Sequence, residues 1–274
     1  MPSINLAPLV TVAIPFTRNP HPDWSISLAS IVPPMNASHQ IRRTINMKRG
    51  AARDHLVEQA IKDGSRFILC HDDDVTVPPS ILRKLLFQFG NVDDDVVAIG
   101  GIYCTKSTPA EPLVFKKIGD GSFYKWKLGE VFECEAIATG MLLIKTEVFK
   151  HIPKPWFLDI ETVEEAKEHN LIPQDHECFQ FGITDDVYFC RKVFNAGYKC
   201  MAHGGVLGMH WDDKGTAYLL PDNSYPVKTE YEKRYGKEQV DEKEYWRRIM
   251  NIYRDYYGYV DILPIENEDL LYVK

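Results

Sequence analysis

Four apolar residues, Phe67-Ile68-Leu69-Cys70, run directly into His71-Asp72-Asp73-Asp74. A short unbroken apolar run reads as a strand covered on both faces. Such strands belong to α/β sheets rather than to half-exposed antiparallel ones. The carboxylates then fall at the carboxyl end of the strand, where open α/β sheets collect ligands. Three adjacent anionic side chains repel one another unless something positive sits among them. A hard divalent cation with oxygen ligands meets that need. Asp93-Asp94-Asp95 has the same composition but precedes an apolar run, Val96-Val97-Ala98-Ile99. It reads as a solvated turn between a helix over 79–89 and that strand.

The remaining pattern alternates strands and helices. Residues 9–14 form an apolar run stopped by Pro15, and an irregular segment rich in Pro, Asn and His extends to about residue 40. The spacing of Ala52, Leu56, Val57, Ala60 and Ile61 predicts a helix over 50–63, closed by Gly64. Arg53 shares the apolar face of that helix, and a core-facing Arg needs an anionic partner. A strand over 96–103 contains Gly100-Gly101. A hairpin excursion is expected over 112–135, around Gly119-Asp120-Gly121, followed by a strand over 140–144. A stiff aromatic turn, Pro153-Lys154-Pro155-Trp156-Phe157, precedes a polar loop with a short helix in 161–169. Thr184-Asp185-Asp186 opens a helix running to about Asn195. The order implies an α/β fold with a mostly parallel, mixed sheet flanked by helices. Residues 1–212 form the main domain and 213–274 a helical C-terminal extension. Within it, 228–257 are charged and aromatic, with Trp246, Arg247, Arg248 and Arg254. This stretch fits a tail helix clamped on the core, a dimer contact, or peripheral membrane contact.

Composition narrows the classes. A net charge of −7 argues against bulk nucleic-acid binding. A local basic groove from Arg42, Arg43, Lys48 and Arg49 would escape that count and would suit a DNA acceptor, although a solvated loop explains the same residues and is favoured. No apolar run approaches the roughly 20 residues of a membrane span, and no secretory signal is visible. The six cysteines show no CxxC pair, which suggests buried, reduced thiols and a cytoplasmic protein (host cytoplasm if phage-encoded).

Taken together, these segments resemble the GT-A glycosyltransferases, in the family 2-like branch of phages and bacteria. The resemblance covers about residues 9 to 212. It rests on Val12-Ala13-Ile14-Pro15-Phe16-Thr17, on Gly50-Ala51-Ala52-Arg53-Asp54 in the place of a GxxARN helix start, and on Asp72-Asp73-Asp74 as a DxD motif. Ile99-Gly100-Gly101-Ile102-Tyr103, Thr139-Gly140-Met141-Leu142-Leu143-Ile144, Thr184-Asp185-Asp186 and Gly208-Met209-His210 complete the order. Asp54 stands where Asn is usual, and Asp185 where Glu is usual.

The resemblance implies a Rossmann-like GT-A domain that takes a nucleotide-sugar donor, with UDP the expected nucleotide, and a carbohydrate or other hydroxyl acceptor. Pro15, Phe16, Thr17, Arg53, Asp72 and Asp73 would bind the nucleotide. Asp74, Asp72 and His210 would hold the metal; imidazole tilts the choice to Mn²⁺ over Mg²⁺. Asp185 and Asp186 would be the catalytic pair, with Asp186 the general base of an inverting transfer; helix capping is the alternative for both, and Asp185 could cap while Asp186 reaches the acceptor. Trp156, in the aromatic turn, could stack on a sugar ring; the alternative for it is a core or lid aromatic, and for His210 a hydrogen-bonded structural histidine. His203 reads as structural, and His71 stays open. Rival functions are a non-catalytic carbohydrate-binding or virion-associated protein and a glycosyltransferase acting on modified DNA bases. A sugar nucleotidyltransferase is disfavoured because residues 15–22 contain no Gly for a triphosphate loop.

Overall fold

The computed structural model of the chain describes residues 9–35, 37–107, 110–127, 129–172, 174 and 182–218. Along it run β1 (Val10–Phe16), α1 (Pro22–Ala29), β2 (His39–Ile45), α2 (Arg49–Lys62), β3 (Phe67–His71), β4 (Val75–Thr76), α3 (Ile81–Phe89) and β5 (Val96–Ile102). Then follow β6 (Val114–Phe115), β7 (Val131–Cys134), β8 (Ala136–Ile137), β9 (Met141–Lys145), a 3₁₀ turn at Thr146–Lys150, α4 (Val163–Glu168), α5 (Asp185–Asn195), β10 (Lys199–Leu207), β11 (Met209–Trp211) and β12 (Ala217–Tyr218).

Seven strands form one sheet in the order β2-β1-β3-β9-β5-β10-β7. It is mixed. β1 runs parallel to β2 and β3, and β10 runs parallel to β5. β9 is inserted antiparallel between β3 and β5, and β7 closes the edge antiparallel to β10. A small sheet, β12-β11-β4, stands beside the carboxyl end of β3.

Side-chain alternation assigns each strand to two apolar layers. Ala13, Ile68, Cys70 and Ile144 face α2 and α5, packing with Leu56, Val57, Phe189 and Val193. Val12, Ile14, Leu69 and Leu143 face the other side, with Trp24, Ile81, Leu82 and Leu85 of α1 and α3. The sheet is therefore covered on both faces, and what it leaves accessible is the row of strand ends.

The predicted helices over 50–63 and 79–89 and the helix opened by Thr184 are present as α2, α3 and α5. Gly64, at φ +75°, ends α2 in the left-handed region. Pro15 does not stop β1. Leu9 O accepts from Phe67 N, so odd-numbered residues of β1 turn their backbone groups toward β3. That pairing ends at Ala13, so the missing N–H of Pro15 removes no ladder bond. The segment expected to be irregular contains α1, entered through Pro22, and leads into β2. β2 is an edge strand with Ile41, Arg42, Arg43 and Ile45 exposed, which conceals it from a burial pattern. The 112–135 segment is not a self-paired hairpin: β6 pairs with β8, while β7 joins the main sheet. Residues 228–257 lie outside the described residues.

Gly50 lets α2 approach the aromatic turn. A Cβ there would meet Phe157 O at 2.7 Å. One turn later the Asp54 carboxylate accepts Trp156 N and Phe157 N, each at 3.0 Å. This fixes α2 against the turn and aims Arg53 at the strand ends.

Candidate functional site

The acidic triplet leaves β3 with its three side chains turned to three different tasks. Asp73 is directed to the end of β1: Thr17 N, Thr17 Oγ1 and Arg18 N all donate to its Oδ2, at 2.6, 3.2 and 3.0 Å. Its Oδ1 lies 3.5 Å from Arg18 Nε. Asp73, expected beside the nucleotide, holds the β1–α1 loop through its Oδ2. Thr17 is the exposed member of the Pro15-Phe16-Thr17 segment; Pro15 is buried and Phe16 packs edge-on against Trp24 at 5.3 Å.

Asp72 turns toward α2. Arg53 Nη2 donates to Asp72 Oδ1 at 2.9 Å, and Arg53 Nε lies 2.9 Å from Asp185 Oδ2. Arg49 Nε lies 3.0 Å from Asp185 Oδ1 and Arg49 Nη2 donates to Asp159 Oδ1 at 3.2 Å. Two arginines one helical turn apart thus face carboxylates from β3 and the start of α5. Burial acts against the Arg53 charge, but Asp72 and Asp185 outweigh it and hold the guanidinium charged. Burial pushes Asp72 up to about 6 despite Arg53, and raises Asp185 as well. Arg53 Nη1 is buried and has no hydrogen-bond partner. A buried unpaired guanidinium donor is costly and suits an anionic ligand oxygen.

Asp185 does not cap α5. Its carboxylate is 2% exposed and is committed to the two arginines. Asp186 takes the local role: Thr184 Oγ1 and Val187 N donate to its Oδ1. Among the described residues, its Oδ2 makes no hydrogen bond or ion pair.

Asp74 meets the β4–β11 side. His210 is held by β11, which pairs antiparallel with β4 just past the triplet. Its Nδ1 lies 2.7 Å from Cys104 O. A carbonyl only accepts, so Nδ1 carries the proton. A neutral ring then presents the Nε2 lone pair to Asp74 Oδ2, 3.4 Å away, and a charged ring presents a proton. Lys106 Nζ donates to the same oxygen, and Arg18 Nη1 lies 3.4 Å from it. Burial alone would raise the Asp74 carboxyl; His210 and Lys106 outweigh it and hold the group well below the carboxylate range.

Tyr103 sits between these groups. Its ring packs edge-on against His210 at 5.1 Å, and Gly140 N donates to its Oη at 3.1 Å. Burial first, then the charges of Asp72, Asp186 and Asp74, push its phenol well above the usual value. All three carboxylates therefore act on one region. Trp156, by contrast, is core: its ring nitrogen donates to Ile152 O at 3.0 Å and it packs on Phe149. Buried His71 donates from Nε2 to Val75 O at 2.8 Å, and burial lowers it to about 4. His203 accepts from Gly205 N at 3.1 Å.

A cleft of about 220 Å³, lined by Arg18, His21, Asp74, Trp211 and Asp213 among others, opens between the β1–α1 loop and the β11–β12 turn. His21 stacks on Trp211 at 3.9 Å, and Arg18 Nη1 reaches Asp213 Oδ1 at 2.9 Å across it. A larger cleft, about 340 Å³ and lined by Lys116, Glu133, Cys190 and Tyr198 among others, contains none of the triplet. The smaller one is lined by Asp73 and Asp74 of the triplet.

No protein-family model matches the chain, and no curated protein matches it. Solved structures do. A197 from STIV matches with a TM-score of 0.52 at 16% identity, over 77% of this chain and 89% of A197. GalNAc-T7, solved with UDP, GalNAc and Mn²⁺, gives 0.49 at 11% identity, over 75% of this chain and 44% of that one. What is shared is the fold. The chain is an α/β protein with a mixed seven-stranded sheet flanked by helices, a fold it shares with A197.

Among the described residues, no group of three or more His, Cys, Asp or Glu side chains is placed to hold a metal alone. Of the three residues expected to hold a metal, Asp74 Oδ2 and His210 Nε2 face each other at 3.4 Å, with the imidazole fixed through its other nitrogen as metal ligands are, while Asp72 Oδ1 accepts from Arg53. Two protein donors suit a cation that completes its shell with phosphate oxygens and water. The residues fit a substrate-dependent metal and do not fit a preformed cage.

The structure also places residues that the sequence reading passed over. Arg18 and Lys106 both reach Asp74. Of the four residues weighed for a basic groove, Arg42 pairs with Asp63 at 2.8 Å and Arg49 turns into the site. Among the described residues, no helix is long and apolar enough to cross a membrane. The five described cysteines, at 70, 104, 134, 190 and 200, are buried and unbridged.

Proposed function

We propose that this chain is a glycosyltransferase that moves a sugar from a nucleoside diphosphate-sugar, UDP-linked in the first instance, to an acceptor hydroxyl with inversion. The observation that carries the reading is the pair of charge clusters at the strand ends of a GT-A-like sheet, Arg53 with Asp72 and Asp185, and Asp74 with His210 and Lys106.

Each residue has a role in that chemistry. Arg53, fixed by Asp72 and Asp185, turns a charged and partly unpartnered guanidinium toward diphosphate oxygens. Asp74 and His210 would hold Mn²⁺ or Mg²⁺, which supplies charge neutralisation for the departing nucleoside diphosphate. Asp186 has one carboxylate oxygen without a partner among the described residues. It accepts the proton of the acceptor hydroxyl as that oxygen attacks the anomeric carbon. Asp185 is a positioning residue, since its contacts run to Arg49 and Arg53.

The test is calorimetry of UDP, GDP and CDP with Mn²⁺ and with chelator, on the full chain and on Asp74→Ala. Cation-dependent binding of one nucleotide, lost in the variant, supports the reading. Failure of every nucleotide to bind folded protein in the presence of metal sinks it and brings the carbohydrate-binding alternative forward.

A further inference from the structure

Asp74 Oδ2 is approached by nitrogen atoms from three separate segments. His210 Nε2 and Arg18 Nη1 are each 3.4 Å away, and Lys106 Nζ is in direct hydrogen-bonded contact. Only the imidazole can ligate a metal; an ammonium and a guanidinium have no lone pair to give. Lys106 therefore stands where a cation shared by Asp74 and His210 would bind. It also stands on the segment whose Cys104 carbonyl fixes His210 Nδ1. One stretch of chain thus both orients the ligand ring and supplies its competitor.

Mobility separates Lys106 from the other cations. The Arg53 side chain is 2% exposed and locked between carboxylates, whereas that of Lys106 is 22% exposed on a flexible four-carbon stem. The ammonium has three donors and gives one to Asp74, so it can pass from a carboxylate to a phosphate oxygen by rotating its own bonds. Arg18 is tethered by comparison, because its guanidinium also reaches Asp73 and Asp213.

We propose that Lys106 is a diphosphate-binding residue that occupies the cation-facing oxygen of Asp74 until the donor arrives, then transfers its ammonium to the donor's phosphate oxygens. This deepens the proposed function and rests on that reading of the site. The consequence is thermodynamic coupling. A divalent cation alone must displace an ammonium and then sit beside it. With the diphosphate present, the ammonium has another anionic partner and Asp74 is released. Each ligand then strengthens the other, by the same factor in both directions.

The experiment titrates Mn²⁺ alone, UDP in chelator, and UDP with saturating Mn²⁺ into the full chain, into Lys106→Met and into Lys106→Arg. Lys106→Met is expected to bind Mn²⁺ alone about fivefold more tightly, because a partly exposed competing ion pair is gone. It is expected to bind UDP in chelator about tenfold more weakly, because a charged hydrogen bond is lost. Lys106→Arg keeps both wild-type behaviours. Unchanged or weaker Mn²⁺ binding in Lys106→Met overturns the proposal, and so does unchanged UDP binding. UDP that binds every variant alike removes Lys106 and spares the donor reading. UDP that binds none of them removes both.

Discussion

Arg53 Nε lies 2.9 Å from Asp185 Oδ2, and both side chains are 2% exposed. One charge comes from the apolar face of α2 and the other from the first turn of α5, with Asp72 of the triplet completing the set. Removing the guanidinium strands the buried Asp185 carboxylate and the half-buried Asp72. Arg53→Met is expected to lower stability by about 3–5 kcal/mol, the scale for breaking a buried pair. Arg53→Lys should recover only part, since an ammonium cannot span Asp72 and Asp185 as the planar fork does. Urea unfolding of the three proteins measures this.

The sequence made some of this legible. Arg53 fell on the apolar stripe of α2, so its need for an anion was visible, and the Phe67–Cys70 run located Asp72. Lys106 gave no such signal: it lies in a loop, 32 residues from Asp74, and no local periodicity records an ion pair of that kind. Asp54 read as a departure from Asn, whereas its carboxylate joins elements about 100 residues apart. β2 escaped notice because it is an edge strand whose mid-strand side chains face solvent. Pro15 misled because a proline is harmless where the neighbouring strand has already ended. Period and punctuation report local structure; partners arriving from distant loops leave no trace in either.

Asp54 supports stability. Asp54→Ala removes the acceptor of two backbone N–H groups and is expected to cost about 3 kcal/mol. Asp54→Asn keeps an oxygen that accepts both and should cost no more than about 1 kcal/mol. Nucleotide binding should survive in Asp54→Asn. Paired unfolding curves and a UDP titration decide it.

The pH response has two opposing parts. Burial, reinforced by Lys84, lowers His203 to about 4, below the unfolded value near 6.5. The unfolded chain binds that proton first, so this residue's contribution falls as pH drops from about 6.5 toward 4. Asp72 runs the other way. Its folded value of about 6 exceeds the unfolded one near 4, so its contribution falls as pH rises through that interval. In denaturation series at pH 4.5, 5.5 and 7, His203→Gln should lose stability less steeply on acidification than the parent. Asp72→Asn should lose it more steeply.

Asp186→Asn should reduce transfer about 10²- to 10⁴-fold, the range of general-base contributions, with little change in donor affinity. Single-turnover assays beside UDP titrations separate the two. Parallel losses of both quantities would show that Asp186 serves binding and is no base.

Gly140 is fixed by Tyr103. A Cβ at this position would lie 2.6 Å from the phenol oxygen. Gly140→Ala must push Tyr103 aside and is expected to cost about 1–3 kcal/mol. It should also weaken nucleotide binding, since the displaced ring packs on His210. Tyr103→Phe, which leaves room but orphans the Gly140 N–H, should affect stability more than binding. Thermal melts and calorimetry on both variants compare them.

The insertion of β9 also governs the order in which the chain can be assembled. β3 and β5 lie in the first 102 residues, yet the strand that joins them begins at Met141. A nascent chain halted before that point presents two apolar strand edges with nothing between them, the configuration most prone to pairing with another molecule. The central sheet therefore closes late in synthesis, because β5 waits for β9 on one edge and for β10, which ends at Leu207, on the other.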